Sequence, residues 1–380
     1  MAGAAKAQTV TLPFGNGERP LVAYPQKRPL LRLTTRPPQL ETPFSAFDEG
    51  VLTPNNAFFV RYHLADAPPE GLDPATFRLS VSGAVDKPLT LSLTDLKALP
   101  VTELVAVNQC SGNGRGFFEP RVGGGQAGNG LMGNARWRGV KLADVLAKAG
   151  VHKSAVQVKF DGMDGPVIPD TPDFAKALDV AHALDGDVML AWGMNGADLP
   201  ILNGYPLRLV VPGWYGTYWI KHLNQITVLD SPLDNFWMTS AYRVPDNDCE
   251  CVAPGAPAPV TRPISRLNAR SFITSLADQA KVAAGRKLTI KGIAFDGGSG
   301  IAQVEISADG GESWSKAALG ADLGRYSFRP WTAALTLEKG RHRLMARATS
   351  RSGEVQPMTP RWNPSGYMRN VVEVVNVEAA

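Results

Sequence analysis

Cys110 is the residue best placed to do chemistry. It follows the apolar run 101–107, opens the turn Ser111-Gly112-Asn113-Gly114, and has Arg115 five positions on. A nearby cation favours the thiolate, the form that acts as nucleophile or metal ligand. A lone cysteine is more often a small buried hydrophobe, so Cys110 counts only in company. Arg61 and His63 share one face of the aromatic strand 58–63, because side chains alternate with period two, and two cations there would suit a divalent oxyanion. The bland alternative is a solvated strand face. Arg208 and Lys221, with Asn203 and Trp219-Ile220 beside them and Gly213 and Gly216 between, could grip a phosphate, or could be ordinary turn charges. Asp164 could accept hydrogen bonds from a heterocycle or cap a turn. Tyr242 could donate to an anion or simply pack.

The remaining motifs exclude more than they suggest. Nucleotide-loop, zincin and Cys-x-x-Cys patterns are absent, and so is a haem-attaching Cys-x-x-Cys-His. The 5 histidines show no metal-ligand spacing, which argues against zinc. The 3 cysteines are too few for a disulfide framework. Cys249-Glu250-Cys251 reads as two structural thiols, because one intervening residue strains a bridge. A net charge of +4 with no Lys/Arg run argues against nucleic acid. No apolar run approaches the roughly 18 residues of a membrane span. The N-terminus lacks a secretory apolar core, so the chain reads as cytoplasmic or as a mature exported form.

The elements that must position these residues are strand-rich. Gly 38 and Pro 30 in 380 residues favour short strands and turns. Residues 1–56 read as an extended arm and 57–252 as a catalytic domain. A proline-spaced linker covers 253–265, and 266–380 form a second domain. Helices are predicted at 93–99, opened by Ser92 or Thr94, and at 140–149, stopped by Gly150. Beyond the linker, 287–295, 301–307 and 341–349 alternate with period two between Asp-Gly-Gly turns, which predicts an immunoglobulin-like sandwich.

Taken together, the motifs resemble the sulfite oxidase family, most closely its bacterial sulfite dehydrogenase subunits. The carriers are Phe58-Phe59-Val60-Arg61-Tyr62-His63, Asn108-Gln109-Cys110-Ser111-Gly112-Asn113-Gly114-Arg115, Ala135-Arg136-Trp137-Arg138-Gly139, Gly204-Tyr205-Pro206-Leu207-Arg208 and Asp309-Gly310-Gly311-Glu312-Ser313-Trp314. The resemblance implies an α+β fold: a mixed molybdopterin-binding domain, then an immunoglobulin-like domain that commonly dimerises. It implies one molybdenum–molybdopterin per chain, with Cys110 as the protein's metal ligand. Phe59, Val60, Arg61, Tyr62, His63, Asp164, Asn203, Arg208, Trp219, Ile220 and Lys221 would contact the cofactor. Arg61, His63, Arg115 and Tyr242 would be catalytic, with Arg61, Arg115 and Tyr242 forming the anion pocket. Two positions depart from the animal enzymes: Asn203 stands for a histidine and Tyr62 for an asparagine. The correspondence of a second-domain pocket arginine to Arg329 stays open.

That resemblance implies oxidation of sulfite to sulfate, with electrons passed to a c-type cytochrome, as subunit or diffusible acceptor. No haem belongs to this chain, since the stretch before Phe58 is too short for the animal haem domain. The implied compartment is the periplasm, as homodimer or heterodimer. The rivals are a sulfoxide or nitrate reductase of the same superfamily, a non-enzymatic sandwich-domain binding protein, and a cysteine hydrolase.

Overall fold

Nine residues in register carry the chain to Cys110. Val101–Gln109 pairs antiparallel with Met132–Lys141, from Val101 opposite Val140 to Gln109 opposite Met132. Cys110 N–H then donates to Leu131 O at 2.9 Å, extending the ladder by one residue. A computed structural model describes residues 9–12, 17–64, 68–166, 168 and 170–380.

Two sheets build the first domain among the described residues. One orders Ala175–Asp179, Gln157–Gly162, Leu223–Leu229, Leu79–Gly83 and Leu89–Leu91, with a parallel pair at Leu223–Leu229 and Leu79–Gly83. The other orders Ala197–Asp198, Met189–Met194, Met132–Lys141 and Val101–Gln109, with Arg208–Val210 joined to Met189–Met194. Helix Leu93–Lys97 starts at Ser92, whose hydroxyl accepts from the Asp95 N–H while the Asp95 carboxylate accepts from the Ser92 N–H. Helix Leu142–Ala149 starts two residues later than periodicity predicts, because Val140 belongs to the strand. It ends at Gly150, whose φ of 72° only glycine adopts cheaply. Trp137 anchors the core, edge-on to Phe58 at 5.8 Å and to Trp219 at 5.5 Å. Truncating such a ring costs about 3–5 kcal/mol.

Residues before 57, read as an extended arm, contain Thr9–Leu12, Gly17–Val22, Leu30–Thr34 and Gln39–Glu41, which pair in turn and end against Val60–Arg61. In the proline-rich stretch after residue 252, Thr261–Pro263 pairs with Arg243–Pro245. Cys249 and Cys251 are joined in a disulfide, correcting the reading of two free thiols. Glu250 takes φ of 53°, which folds the chain enough to bring the two Cα atoms to 5.1 Å, inside the range a bridge requires.

The second domain is a sandwich. Arg270–Ile273, Lys287–Phe295, Arg329–Thr336 and Ala318–Leu319 face Ala280–Val282, Val374–Ala379, Gly340–Ser350, Ile301–Ser307 and Ser315–Lys316. Trp331, Ile290, Val304 and Leu344 fill the space between them. The domains are joined by hydrogen bonds, Val107 N–H to Tyr326 O and Asn134 to Ser327, and by the fully buried Arg270, which reaches Asn129 and Glu373.

The glycine-rich loop after Cys110 is held from the N-terminal sheet. The Glu41 carboxylate accepts from the N–H groups of Gly128 and Gly130 at 3.0 and 2.8 Å. Burial raises its pKa to about 7 against two hydrogen bonds that lower it. An acid whose folded pKa is raised binds its proton more tightly when folded, so its stabilisation is full below about pH 4.5 and is lost as pH climbs through about 7. Melting curves of wild type and Glu41→Gln from pH 5 to 8 should show the wild type losing ground steadily. A gap that stays constant with pH would contradict a buried, proton-holding Glu41.

Candidate functional site

Two recesses meet at Cys110. The larger, about 610 Å³, is lined by Phe59, Arg61, His63, Asp164, Asn203, Arg208, Trp219, Ile220, Lys221 and Tyr242 among others. The smaller, about 310 Å³, is lined by Gln39, Arg61, Arg115, Tyr242 and Tyr367. Both share Cys110, Ser111, Arg61 and Tyr242. Residues spread from 39 to 367 are therefore collected around one free, half-buried thiol.

Charge in the larger recess is lopsided. Arg61, Arg208 and Lys221 face a single carboxylate, Asp164. Arg208 lies against the rings of Trp137 and Trp219, at 4.9 and 5.6 Å, and burial lowers its pKa to about 9. Its guanidinium donates to Asn203 O at 2.8 Å and finds no carboxylate. Lys221 donates to Arg61 O at 2.6 Å; burial brings its pKa down to about 7, with Asp164 pulling the other way. Burial raises the Asp164 pKa in turn. Four lining residues also hold buried polar atoms without any protein partner: Asn108 Oδ1, Ser111 Oγ, Thr217 Oγ1 and Arg208 Nε. Orphaned polar atoms and unanswered buried cations are costly. An anionic group rich in donors and acceptors would satisfy both.

Tyr242 organises the smaller recess. It takes φ of 56°, a left-handed conformation that a bulky side chain rarely adopts, of the kind that accumulates at functional sites. Its hydroxyl accepts from Arg61 Nη2 at 3.4 Å and is hydrogen-bonded to His63 Nε2. The period-two expectation that Arg61 and His63 point together is met at that oxygen. The reading of His63 as a second cation is corrected, since burial and the charges of Arg61, Lys221 and Lys176 hold its pKa well below the usual value. Its ring stacks on Phe174 at 3.4 Å.

Arg115 is fixed by the second domain. Its Nε donates to Ser365 O at 3.2 Å and its guanidinium lies over Tyr367 at 4.9 Å. The Tyr367 ring also stacks on Tyr242, at 5.3 Å and 15°. Asn363 clamps this turn through both backbone groups of Tyr367, and Met368 N–H donates to Ser111 O at 2.9 Å. Arg329 does not reach the site; it pairs with Asp322 at 2.6 Å.

Two of the expected cofactor residues turn their side chains elsewhere. Val60 packs with Leu30, Leu40 and Leu202 in a separate cluster. Tyr62 is fully buried in that cluster, its hydroxyl donating to His222 Nε2 at 2.7 Å while His222 Nδ1 donates to Tyr205 O at 2.6 Å. Sequence reasoning missed Phe174, Thr217 and Tyr367. No local motif marks any of them; Asn363-Pro364-Ser365-Gly366, a turn signal before Tyr367, was the nearest cue.

Comparison with known proteins agrees. The oxidoreductase molybdopterin binding domain matches residues 65–237, and the Mo-co oxidoreductase dimerisation domain matches 261–379. Mitochondrial sulfite oxidase of Mus musculus is 35% identical over 94% of this chain and 67% of its own length. Sulfite oxidase of Gallus gallus is 32% identical over 93% of this chain and 79% of its own. The crystal structure of sulfane dehydrogenase SoxCD from Paracoccus pantotrophus superposes with a TM-score of 0.78 at 29% identity, covering 95% of this chain and 90% of that one. Fold and site define a molybdenum-containing oxidoreductase that binds molybdopterin. The chain belongs to the sulfite oxidase family.

The residues fit that cofactor. Among the described residues no cluster of three or more His, Cys, Asp or Glu could hold a metal ion, so a single thiolate leaves the other coordination positions to the cofactor itself. Among the described residues no helix is long and apolar enough to cross a membrane.

The Arg115 guanidinium fills the space beside Gly124, where φ is +95° and a Cβ would lie 2.6 Å from Nη1. Gly124→Ala should displace Arg115 and weaken sulfate binding to the cofactor-loaded protein about tenfold, given that a charge-assisted hydrogen bond is worth about 1.5–3 kcal/mol. Calorimetry checks it. Unchanged affinity would mean that Arg115 does not bind the anion.

Proposed function

We propose that this enzyme oxidises sulfite to sulfate, with Cys110 as the protein ligand to molybdenum and a c-type cytochrome as electron acceptor. The observation that carries this reading is the convergence of Arg61, Arg115 and Tyr242 on a recess sharing Cys110. When bound, the molybdenum–molybdopterin group supplies two-electron oxygen-atom transfer. Everything else falls to the chain's own side chains. Asn203, Arg208, Trp219 and Lys221 would hold the pterin and its phosphate, while Asp164 would accept from the heterocycle's N–H groups.

Sulfite is a small dianion with a nucleophilic lone pair on sulfur. Arg61 and Arg115 offset its charge and fix its oxygens, which leaves the lone pair free to point at the metal. Burial raises the Tyr242 pKa, so the phenol stays protonated as a donor. Arg61 donates to its oxygen, and in the tautomer in which neutral His63 donates from Nε2 the phenol hydrogen is left for the substrate. Tyr367 closes the recess and limits the size of anion admitted. Periplasmic location belongs to the same proposal, supported by the resemblance and by the Cys249–Cys251 bridge, a bond that persists in oxidising compartments.

The likeness to sulfane dehydrogenase favours a second reading, oxidation of a sulfane sulfur. One assay separates the two. Purified protein should contain about one molybdenum per chain and reduce cytochrome c with sulfite far faster than with thiosulfate. Cys110→Ser should abolish turnover. Arg61→Met should raise the sulfite KM about tenfold or more with a smaller loss in kcat. Rapid thiosulfate turnover without sulfite turnover would overturn the substrate assignment, and full activity of Cys110→Ser would overturn the ligand assignment.

A further inference from the structure

The N-terminal segment sends one charged side chain to Asn203, a residue that lines the cofactor recess. Lys27 lies just before Leu30–Thr34 and is only 7% exposed. Its ammonium spends all three donors: on Asn55 O at 2.7 Å, Phe58 O at 2.9 Å and Asn203 Oδ1 at 2.5 Å. Asn203 Nδ2 donates to Phe59 O at 3.0 Å, and Asn203 O accepts from Arg208 Nη1 at 2.8 Å. Every polar group of the Asn203 side chain is thereby fixed, between two cations. Neither Lys27 nor Arg208 has an ion-pair partner among the described residues, and burying a charge without one is expensive. A structural lysine serving only to tie the segment down would be replaceable by a neutral donor at lower cost. Three acceptors around one nitrogen call on all three N–H bonds of the ammonium form, beside a recess that already holds Arg208 and Lys221.

We propose that Lys27 is a positioning residue for the cofactor's phosphate end, acting through Asn203 and adding its field to that of Arg208. The inference rests on the molybdopterin reading above. It gives a physical account of the Asn203 side chain, whose oxygen and nitrogen are both committed to protein partners. An asparagine has no charge of its own, and Lys27 supplies one from another segment of the chain. The N-terminal sheet then has two grips on the site, Lys27 at the phosphate end and Glu41 on the loop that carries Arg115.

The test compares wild type and Lys27→Met, each purified with and without cofactor. Molybdenum and pterin content are followed over time after dilution, together with the rise in melting temperature that the cofactor confers. Loss of molybdenum should be roughly tenfold faster in the variant, and the melting-temperature rise should shrink. The sulfite KM of molecules that retain metal should be unchanged, because Lys27 does not line the smaller recess. Equal rates of loss would overturn the proposal. So would an equal drop in melting temperature with and without cofactor, which is the signature of a mere tether. Wild type that carries no molybdenum at all would instead remove the molybdopterin reading, leaving the two failures distinct.

Discussion

Positive charge held out of water with a single carboxylate, Asp164, to answer it is the constraint around which this molecule is arranged. Lys27, Arg208 and Lys221 are buried in one region, and burial is the largest cause that brings the pKa of both lysines to about 7 and that of the arginine to about 9. A protein stable by a few kcal/mol cannot leave several such groups uncompensated. Flat aromatic neighbours soften the cost: Arg208 sits against both Trp137 and Trp219, and Lys221 lies 4.3 Å from the centre of the Tyr62 ring. An anionic cofactor removes the remainder. On this view the cofactor belongs to the folded state energetically, because it binds the native arrangement and not the unfolded chain.

The rest of the architecture serves to bring those charges and one thiol together. The paired strands Val101–Gln109 and Met132–Lys141 deliver Cys110 at a fixed height, with Trp137 locked beneath. The loop between them is rich in glycine and has little apolar surface, so it takes its shape from neighbours. Glu41 grips it from the N-terminal sheet, and Asn129 ties it to Arg270 of the sandwich. The sandwich also holds the turn bearing Tyr367 against Tyr242 and Arg115. Both the segment before residue 57 and the second domain are thus part of the site, which explains how recesses lined chiefly by the central domain depend on the whole chain.

Much of the site was legible because its residues lie in short runs with chemical character. Arg61 with His63, Cys110 with Arg115, and Arg208 with Lys221 each stand close in sequence, and strand periodicity sends Arg61 and His63 to one oxygen. The sandwich was legible for the same reason, its alternation being strict. What stayed hidden was environment. Nothing local says that His63 is neutral, since its pKa is set by burial and by Lys176 and Lys221 from distant segments. Nor does Cys249-Glu250-Cys251 announce a bridge, because closure depended on the backbone angle of the residue between.

Residue types and their spacing determined which groups exist to do chemistry, the order of the two domains, and the strands that carry Cys110 and Arg208. Those are consequences of side-chain identity and backbone periodicity, which act over a few residues. Tertiary structure alone decided that Lys27 and Tyr367, some 340 residues apart in the chain, come against Asn203 and Tyr242 of one site. Burial, long-range hydrogen bonds and the summed field of separated charges exist only once the chain has closed on itself.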